Sequence, residues 1–482
     1  MESTAVERAE ESDSEAAAEV GVEINLDKEE KQDSAVPTAD GPPSGTSSPS
    51  GAGPSEYDRN RALGIRVIAF VIALCVVVTG WAIANVAGSG GASDLVGGKG
   101  HKPGNPTPPR LTQQLSTTFT IPGSVPAIPW PSVGQAAIEL EGYGSLGTSG
   151  NVNTPVPIAS VTKTMTAYLI LAHHPLAAGE PGPLITVSSA EAAAYAVESK
   201  QGQSLVKVYA GERISERDAL EALMLASADN IAKILARWDA GSVSGFVADM
   251  NAAARKLGMS HTTYTDPSGL DPSTVSTATD QVALGRAAMQ SAAFAAIVGE
   301  QSASVPVEGT IYNFNRLVGR NGVTGIKTGS TDQAHGCLLF ADTVTVGGRS
   351  ETVIGAVLGQ PLGTGDAFLD HTLSVASKLI AAAQGTLAAA TIAVPGNQVA
   401  SLHRAGTASE TPLGVIAPVV VIGRPGQSYR VSVSGGASAP VLVVTVLNAA
   451  GSGSGSVSGS AVTGSFSVPL VRLLPRGTLS AR

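Results

Sequence analysis

The chain has 482 residues, of which 43% are hydrophobic and 14% charged, so it has room for two or three folded units and enough apolar content for a sizeable core in at least one. Its formal charge of -9 is concentrated at one end, because residues 1–60 hold 15 acidic and 4 basic side chains. The rest is nearly neutral and has no Lys/Arg-dense stripe with interleaved aromatics, which excludes a nucleic-acid-binding surface. Cys75 and Cys337 imply no disulfide framework. The seven histidines are scattered without metal-ligand spacing, and His173 and His174, being adjacent, should point to different sides of a helix; no metal or cofactor is expected.

Residues 1–58 are rich in Glu, Asp, Ser, Ala, Pro and Gly, with Tyr57 as the one aromatic residue. Such a stretch cannot bury enough apolar surface to offset the entropy of ordering, and it is expected to be a disordered acidic tail. Val67 to Ala84 is apolar except for Thr79 and Gly80, about the length that crosses a hydrocarbon core as a helix. Arg59, Arg61 and Arg66 precede it, so a single-pass helix over 66–87 is expected at the cell membrane, with the tail cytoplasmic and the remainder extracytoplasmic. Ala82-Ile-Ala84 also has the small-x-small pattern of a cleavage site. The long preceding tail and an apolar run longer than the usual ~7–15 residues favour an uncleaved anchor. A Gly/Pro-rich linker over 88–125 would hold the following domain away from the membrane.

Residues 126–385 mix helical and strand signals, the mark of an α+β domain. Met165, Tyr168, Leu169 and Ala172 recur with helical period, and Pro175 ends the run. Ser215 and Asp218 have the form of a capping box opening a helix over 219–225. Ser204 to Tyr209 alternates apolar and polar residues like a strand. A strand is expected at 323–327, followed by a hairpin of 336–346 and 351–358 turning at Gly347-Gly348. From 390 to 482, short Val-rich runs at 415–422, 429–433, 441–447 and 465–470 suggest a small β-sandwich, with Gly451 to Gly459 as a mobile loop.

Three segments carry chemistry: Ser160-Val-Thr-Lys163, Ser227-Ala-Asp229-Asn230 and Lys327-Thr328-Gly329-Ser330. On a helix, Ser160 and Lys163 lie one turn apart on one face, where a neutral lysine amine can take the serine proton. Ser204-Leu-Val-Lys207 has the same spacing, but in a strand positions i and i+3 face opposite ways, so Ser160 is the better nucleophile. Lys327 would supply a second cation, and Thr328 and Ser330 would offer hydroxyls to a substrate carboxylate. Glycine at 329 would let a substrate backbone lie against the strand edge. Ser227 and an amide in the middle segment could relay protons and hold a peptide group.

Taken with their surroundings, these segments resemble the penicillin-binding D-alanyl-D-alanine carboxypeptidases, low-molecular-mass penicillin-binding proteins of the SxxK acyltransferase, β-lactamase-like superfamily. The resemblance runs from about Ala136 to Ala382. It includes Pro157-Ile-Ala-Ser-Val-Thr-Lys, Gly211-Glu-Arg-Ile-Ser-Glu-Arg-Asp, Thr262-Thr-Tyr-Thr-Asp-Pro-Ser-Gly-Leu-Asp and Gly325-Ile-Lys-Thr-Gly-Ser-Thr. It implies a β-lactamase/transpeptidase-like catalytic domain with an antiparallel sheet and helices, a membrane tether and a β-rich C-terminal domain. It also implies Ser160 as nucleophile and Lys163 as general base, with Ser160 and Ser330 N–H groups as oxyanion hole and Lys327 and Thr328 holding the terminal carboxylate of a peptidoglycan stem peptide. β-Lactams would then be trapped as covalent inhibitors.

The family's second motif is usually Ser-x-Asn, whereas here Asp229 occupies the third position and Asn230 follows one residue late. Either residue could fill the role, with Asn230 slightly favoured because a carboxylate lacks the amide's donor and places a negative charge beside the lysines. A β-lactamase or esterase on the same fold is a further reading, though no clear Glu-x-x-Asn segment that would position a deacylating water is apparent. A silent wall-binding scaffold is a third.

Overall fold

The computed structural model describes residues 109–473, apart from 364–366, 368, 405–406, 437 and 448–464. The expected acidic tail, the membrane helix over 66–87, Cys75 and the Gly451–Gly459 loop lie outside these residues.

Five antiparallel strands build the central sheet: β1 (Gln135–Leu140), β2 (Gly144–Ser149), β3 (Val323–Thr331), β4 (His335–Val346) and β5 (Arg349–Gln360), in the order β3-β4-β5-β1-β2. The hairpin expected from Gly347-Gly348 is β4–β5. β3 runs past the expected end at Lys327 to Thr331, so the third motif sits inside a strand and not at its terminus.

Because successive strand residues face opposite ways, the two faces carry different cores. Leu339, Ala341, Ile354 and Ala356 join one core with the helices inserted between β2 and β3, while Leu338, Phe340, Val353 and Val357 join the other. The principal helices are α1 (Lys163–His173), α2 (Glu216–Met224), α3 (Asp229–Ala240), α4 (Ala278–Ala288) and α5 (Asp370–Gln384). α5 packs on the second face through Leu373, Ala376 and Leu379. α4 lies tight on the first, because a Cβ at Gly285 would come within 3.0–3.3 Å of Ile354, Leu339 and Ile326. α1 buries Met165, Ala167, Leu169, Ile170 and Leu171, as a helix enclosed by others must.

Two expectations give way here. Ser204 to Tyr209 is extended but belongs to no sheet. His173 and His174 do not diverge: α1 stops at His173, the chain turns at His174, and both rings contact the Asp239 carboxylate at 2.9 Å.

The C-terminal Val-rich runs form two four-stranded antiparallel sheets and a two-stranded ribbon around one core that includes Ile121, Leu402, Leu413, Val431 and Leu442. The part of the expected linker from 109 onward is not a spacer throughout. Arg110–Gln113 pairs with Ala400–His403, and Thr118–Thr120 pairs with Ser428–Arg430, because Leu111 and Phe119 have apolar surface to cover against that core. Arg424 bridges to the central sheet by donating to the Ser145 carbonyl at 2.8 Å.

Glu216 opens α2 fully buried, and neither carboxylate oxygen has a partner among the described residues. Burial, with the nearby Asp239 carboxylate adding to it, pushes its pKa up to about 7 from an ordinary 4.5. The unfolded chain therefore releases this proton first, and folded stability declines as pH rises from 4.5 through about 7. Glu216→Gln is expected to remove that decline, so its gain in thermal midpoint over the parent should be larger at pH 8 than at pH 5.

Candidate active site

Ser160 sits in a 3-10 turn, Ala159–Thr162, that leads directly into α1 at Lys163. Ala159 is held at φ 45°, a left-handed conformation that costs a non-glycine residue about 1–3 kcal/mol. Two features hold the turn in place. Thr162 Oγ1 donates to the Ala159 carbonyl at 2.8 Å. Gly269 presses so close that a Cβ there would lie 1.9 Å from the Ala159 oxygen.

Lys163 is fully buried, and its ammonium has three N–H groups to satisfy. They go to Ser160 Oγ at 2.8 Å, Asp229 Oδ1 at 2.6 Å and the Ser268 carbonyl at 2.9 Å. Serine and lysine thus meet as the one-turn spacing requires.

The second motif lies where α2 gives way to α3. Ser227 is buried in the intervening turn at φ 61°, and Asp229 and Asn230 are the first two residues of α3. Successive helical residues project about 100° apart, so the pair cannot share a direction. Asp229 turns to Lys163. Asn230 turns to the backbone of Val206, accepting from its N–H at 3.2 Å and donating to its carbonyl at 2.7 Å. The slight preference for Asn230 as the residue facing the lysines is therefore corrected: Asp229 has that position. No hydrogen bond joins Ser227 to Ser160 or Lys163 among the described residues.

The third motif lies on β3, an edge strand of the sheet. Lys327 is buried, and its Nζ donates to the Thr328 carbonyl at 3.0 Å. Burial first, and then the charge of Lys163, lower its pKa well below the ordinary lysine value, while Asp229 opposes the shift. Thr328 is buried and Ser330 half-buried. Gly329 is needed for contact with the nucleophile turn itself, since a Cβ there would stand 2.9 Å from the Ser160 and Val161 nitrogens and 3.0 Å from the Ile158 oxygen. The third motif is thereby set against Ser160.

One contributor has no side-chain signal in the sequence. The Ser268 carbonyl reaches Lys163 because Asp266 ties the loop: its Oδ2 accepts from the Ser268 Oγ and from the Gly269 and Leu270 N–H groups, while Oδ1 accepts from Thr274 Oγ1. Thr166 Oγ1 fastens the same loop to α1 by donating to the Pro267 carbonyl at 2.7 Å. An Asp-Pro-Ser-Gly run is recognisable as a turn, but nothing in it announces which carbonyl faces a lysine.

A hydroxyl bonded to a buried amine, with a second buried lysine alongside, defines the site of a serine hydrolase. The chain belongs to the D-alanyl-D-alanine carboxypeptidase family, whose profile matches residues 138–361. It is 30% identical over 280 residues to a D-alanyl-D-alanine carboxypeptidase of Streptomyces sp. strain K15, covering 52% of this chain and 93% of that protein. It is 31% identical over 260 residues to D-alanyl-D-alanine carboxypeptidase DacB2 of Mycobacterium tuberculosis, covering 52% and 84% respectively. A D-alanyl-D-alanine endopeptidase of Pseudomonas aeruginosa is 31% identical over 218 residues, covering 44% of this chain and 67% of its own.

Two substitutions probe the site's construction. Asp229→Ala leaves two buried lysines without their counter-charge and should lower unfolding stability by about 3–5 kcal/mol, read by chemical denaturation. Gly329→Ala should displace β3 from the nucleophile turn and reduce hydrolysis about 100-fold with folding retained.

Proposed function

We propose that this chain is a membrane-tethered serine D,D-carboxypeptidase that removes the terminal D-alanine of peptidoglycan stem peptides through an acyl-enzyme on Ser160. The observation that carries the reading is the line from half-buried Ser160 Oγ to the buried Lys163 Nζ and Asp229 Oδ1, with contacts of 2.8 and 2.6 Å and Lys327 as a second buried lysine near it.

Asp229 Oδ1 at 2.6 Å and the Ser268 carbonyl at 2.9 Å hold Lys163 Nζ against Ser160 Oγ, and Lys163 acts as the base in its neutral form. The neutral amine then takes the Ser160 proton as Oγ attacks the carbonyl between the two D-alanines. The Ser160 and Ser330 N–H groups face the developing oxyanion, the interaction that usually contributes most to such reactions. Lys163 passes its proton to the leaving D-alanine amine, and water repeats the sequence to free the enzyme. Ser227 assists proton movement from the turn beside Asp229, and Lys327 with Thr328 and Ser330 receives the terminal carboxylate. A β-lactam stops at the acyl stage because its leaving group stays attached.

The tether rests on the sequence: an apolar run at Val67–Ala84 behind Arg59, Arg61 and Arg66 orients the tail to the cytoplasm and the catalytic domain outward.

Incubation with a peptide ending in D-Ala-D-Ala should release free D-alanine, and a fluorescent penicillin should label the protein stably but not its Ser160→Ala variant. Rapid turnover of the label would instead establish a β-lactamase, and absence of both reactions a silent scaffold. A second measurement tests Lys327. Its lowered pKa means that binding a carboxylate recruits a proton, so KM should rise with pH for a free-acid substrate and stay flat for its amide-capped counterpart.

A further inference from the structure

The central sheet and the C-terminal β unit meet along a seam that is fastened at two places. At one, the tip of the β4–β5 hairpin rests on the β unit, where a Cβ at Gly347 would come within 2.9 Å of Ala389 and 3.4 Å of Ile422. At the other, Arg424 holds the Ser145 carbonyl of β2. On the same seam lies a cavity of about 340 Å³, a size that takes a small molecule, and contacts between two bodies are where such sites tend to form. Val420, Ile422, Val446, Tyr143 and Tyr429 give it mostly apolar walls. The Tyr429 hydroxyl already donates to the Ile422 carbonyl at 2.9 Å.

The group left over is Glu351, which also lines the cavity and whose side chain is only 12% exposed. Its Oε1 has the Tyr143 hydroxyl at 3.4 Å and Arg349 Nε at 3.7 Å, both long, and among the described residues no hydrogen bond reaches Oε2. Arg349 is 73% exposed, so water screens what it offers. Burial and the Glu351 charge together push the Tyr143 pKa up to about 12, which keeps the phenol a neutral donor. A carboxylate set among apolar walls is costly until a cation with hydrogen-bond donors meets it. Glu141 brings a second carboxylate to the cavity, one oxygen of which accepts from Gln290 at 2.8 Å. Among the described residues no third acidic, histidine or cysteine side chain joins these two to hold a metal ion, so an organic cation is the class that fits. From this geometry we propose that the seam is a binding site for a primary ammonium on a short aliphatic chain, with Glu351 and Glu141 facing the ammonium and Val420, Ile422 and Val446 enclosing the chain. The assignment stands apart from the three catalytic motifs and does not depend on the carboxypeptidase reading.

The test titrates the full chain by calorimetry with butylamine, 1-butanol and butyrate, which share an apolar body and differ in the charge of the head. Butylamine should bind saturably and slow hydrogen exchange over 419–423, butanol should bind about tenfold more weakly, and butyrate should not bind. Glu351→Gln keeps the shape and removes the charge, so it should weaken butylamine about tenfold and leave butanol within about twofold. Arg349→Ala, an exposed change that removes the competing cation, should tighten butylamine about twofold and decides the matter alone if Glu351→Gln does not fold. No binding of butylamine, equal binding of all three probes, butylamine binding unchanged in Glu351→Gln, or weaker binding in Arg349→Ala would overturn the assignment.

Discussion

A lysine amine with no exposure to water can sit in a protein only if its charge is answered, and the arrangement around Lys163 follows from that requirement. The answering carboxylate, Asp229, begins α3, where the partial positive charge of a helix N-terminus also favours an anion. The third proton is met by a backbone carbonyl, which obliges the loop at 266–274 to fold onto α1. Ser160 is then placed by default, as the remaining acceptor of a donor that has no freedom left. The second buried amine, Lys327, shares the same carboxylate at longer range, so the three motifs form one electrostatic unit.

Replacing the family's usual amide by Asp229 changes how that unit is balanced. One carboxylate now stands among two buried lysines, where an amide would have supplied no charge. The position retains an acceptor for Lys163 and gives up a donor toward substrate. Asn230 does not make good the loss, because the helix it shares with Asp229 directs it to Val206. Second-motif residues that are neighbours in sequence thus serve different partners, Lys163 and the Val206 backbone.

Much of the scaffold was legible from periodicity. The β4–β5 hairpin announced itself through two apolar runs around Gly347-Gly348, and α1 through its 3.6-residue repeat, since both signals are local. What could not be read depended on remote or backbone partners. Arg110–Gln113 pairs with Ala400–His403, beyond the whole of the inserted catalytic domain, so its composition resembled a spacer. Ser204–Tyr209 had the alternation of a strand because its side chains are sorted inside and outside, but alternation says nothing about whether the backbone is bonded to another strand or to Asn230 and Glu308. The choice between Asp229 and Asn230 hung on a helix phase that begins one residue earlier, beyond the resolution of any pattern. Ser268 was invisible for a simpler reason, as its contribution is a carbonyl that every residue carries.

The strands at 110–113 and 118–120 close a loop that has a mechanical meaning. Because the chain enters the C-terminal β unit before the central sheet and returns to it afterward, residues 126–385 are an insertion whose two ends are fastened to one body. A pull on the chain upstream of residue 109 is borne first by the short ladder between Arg110–Gln113 and Ala400–His403, loaded along its strands. The β unit thus stands between an applied tension and the turn that carries Ser160, and cutting it away would also free the leading end of the inserted domain.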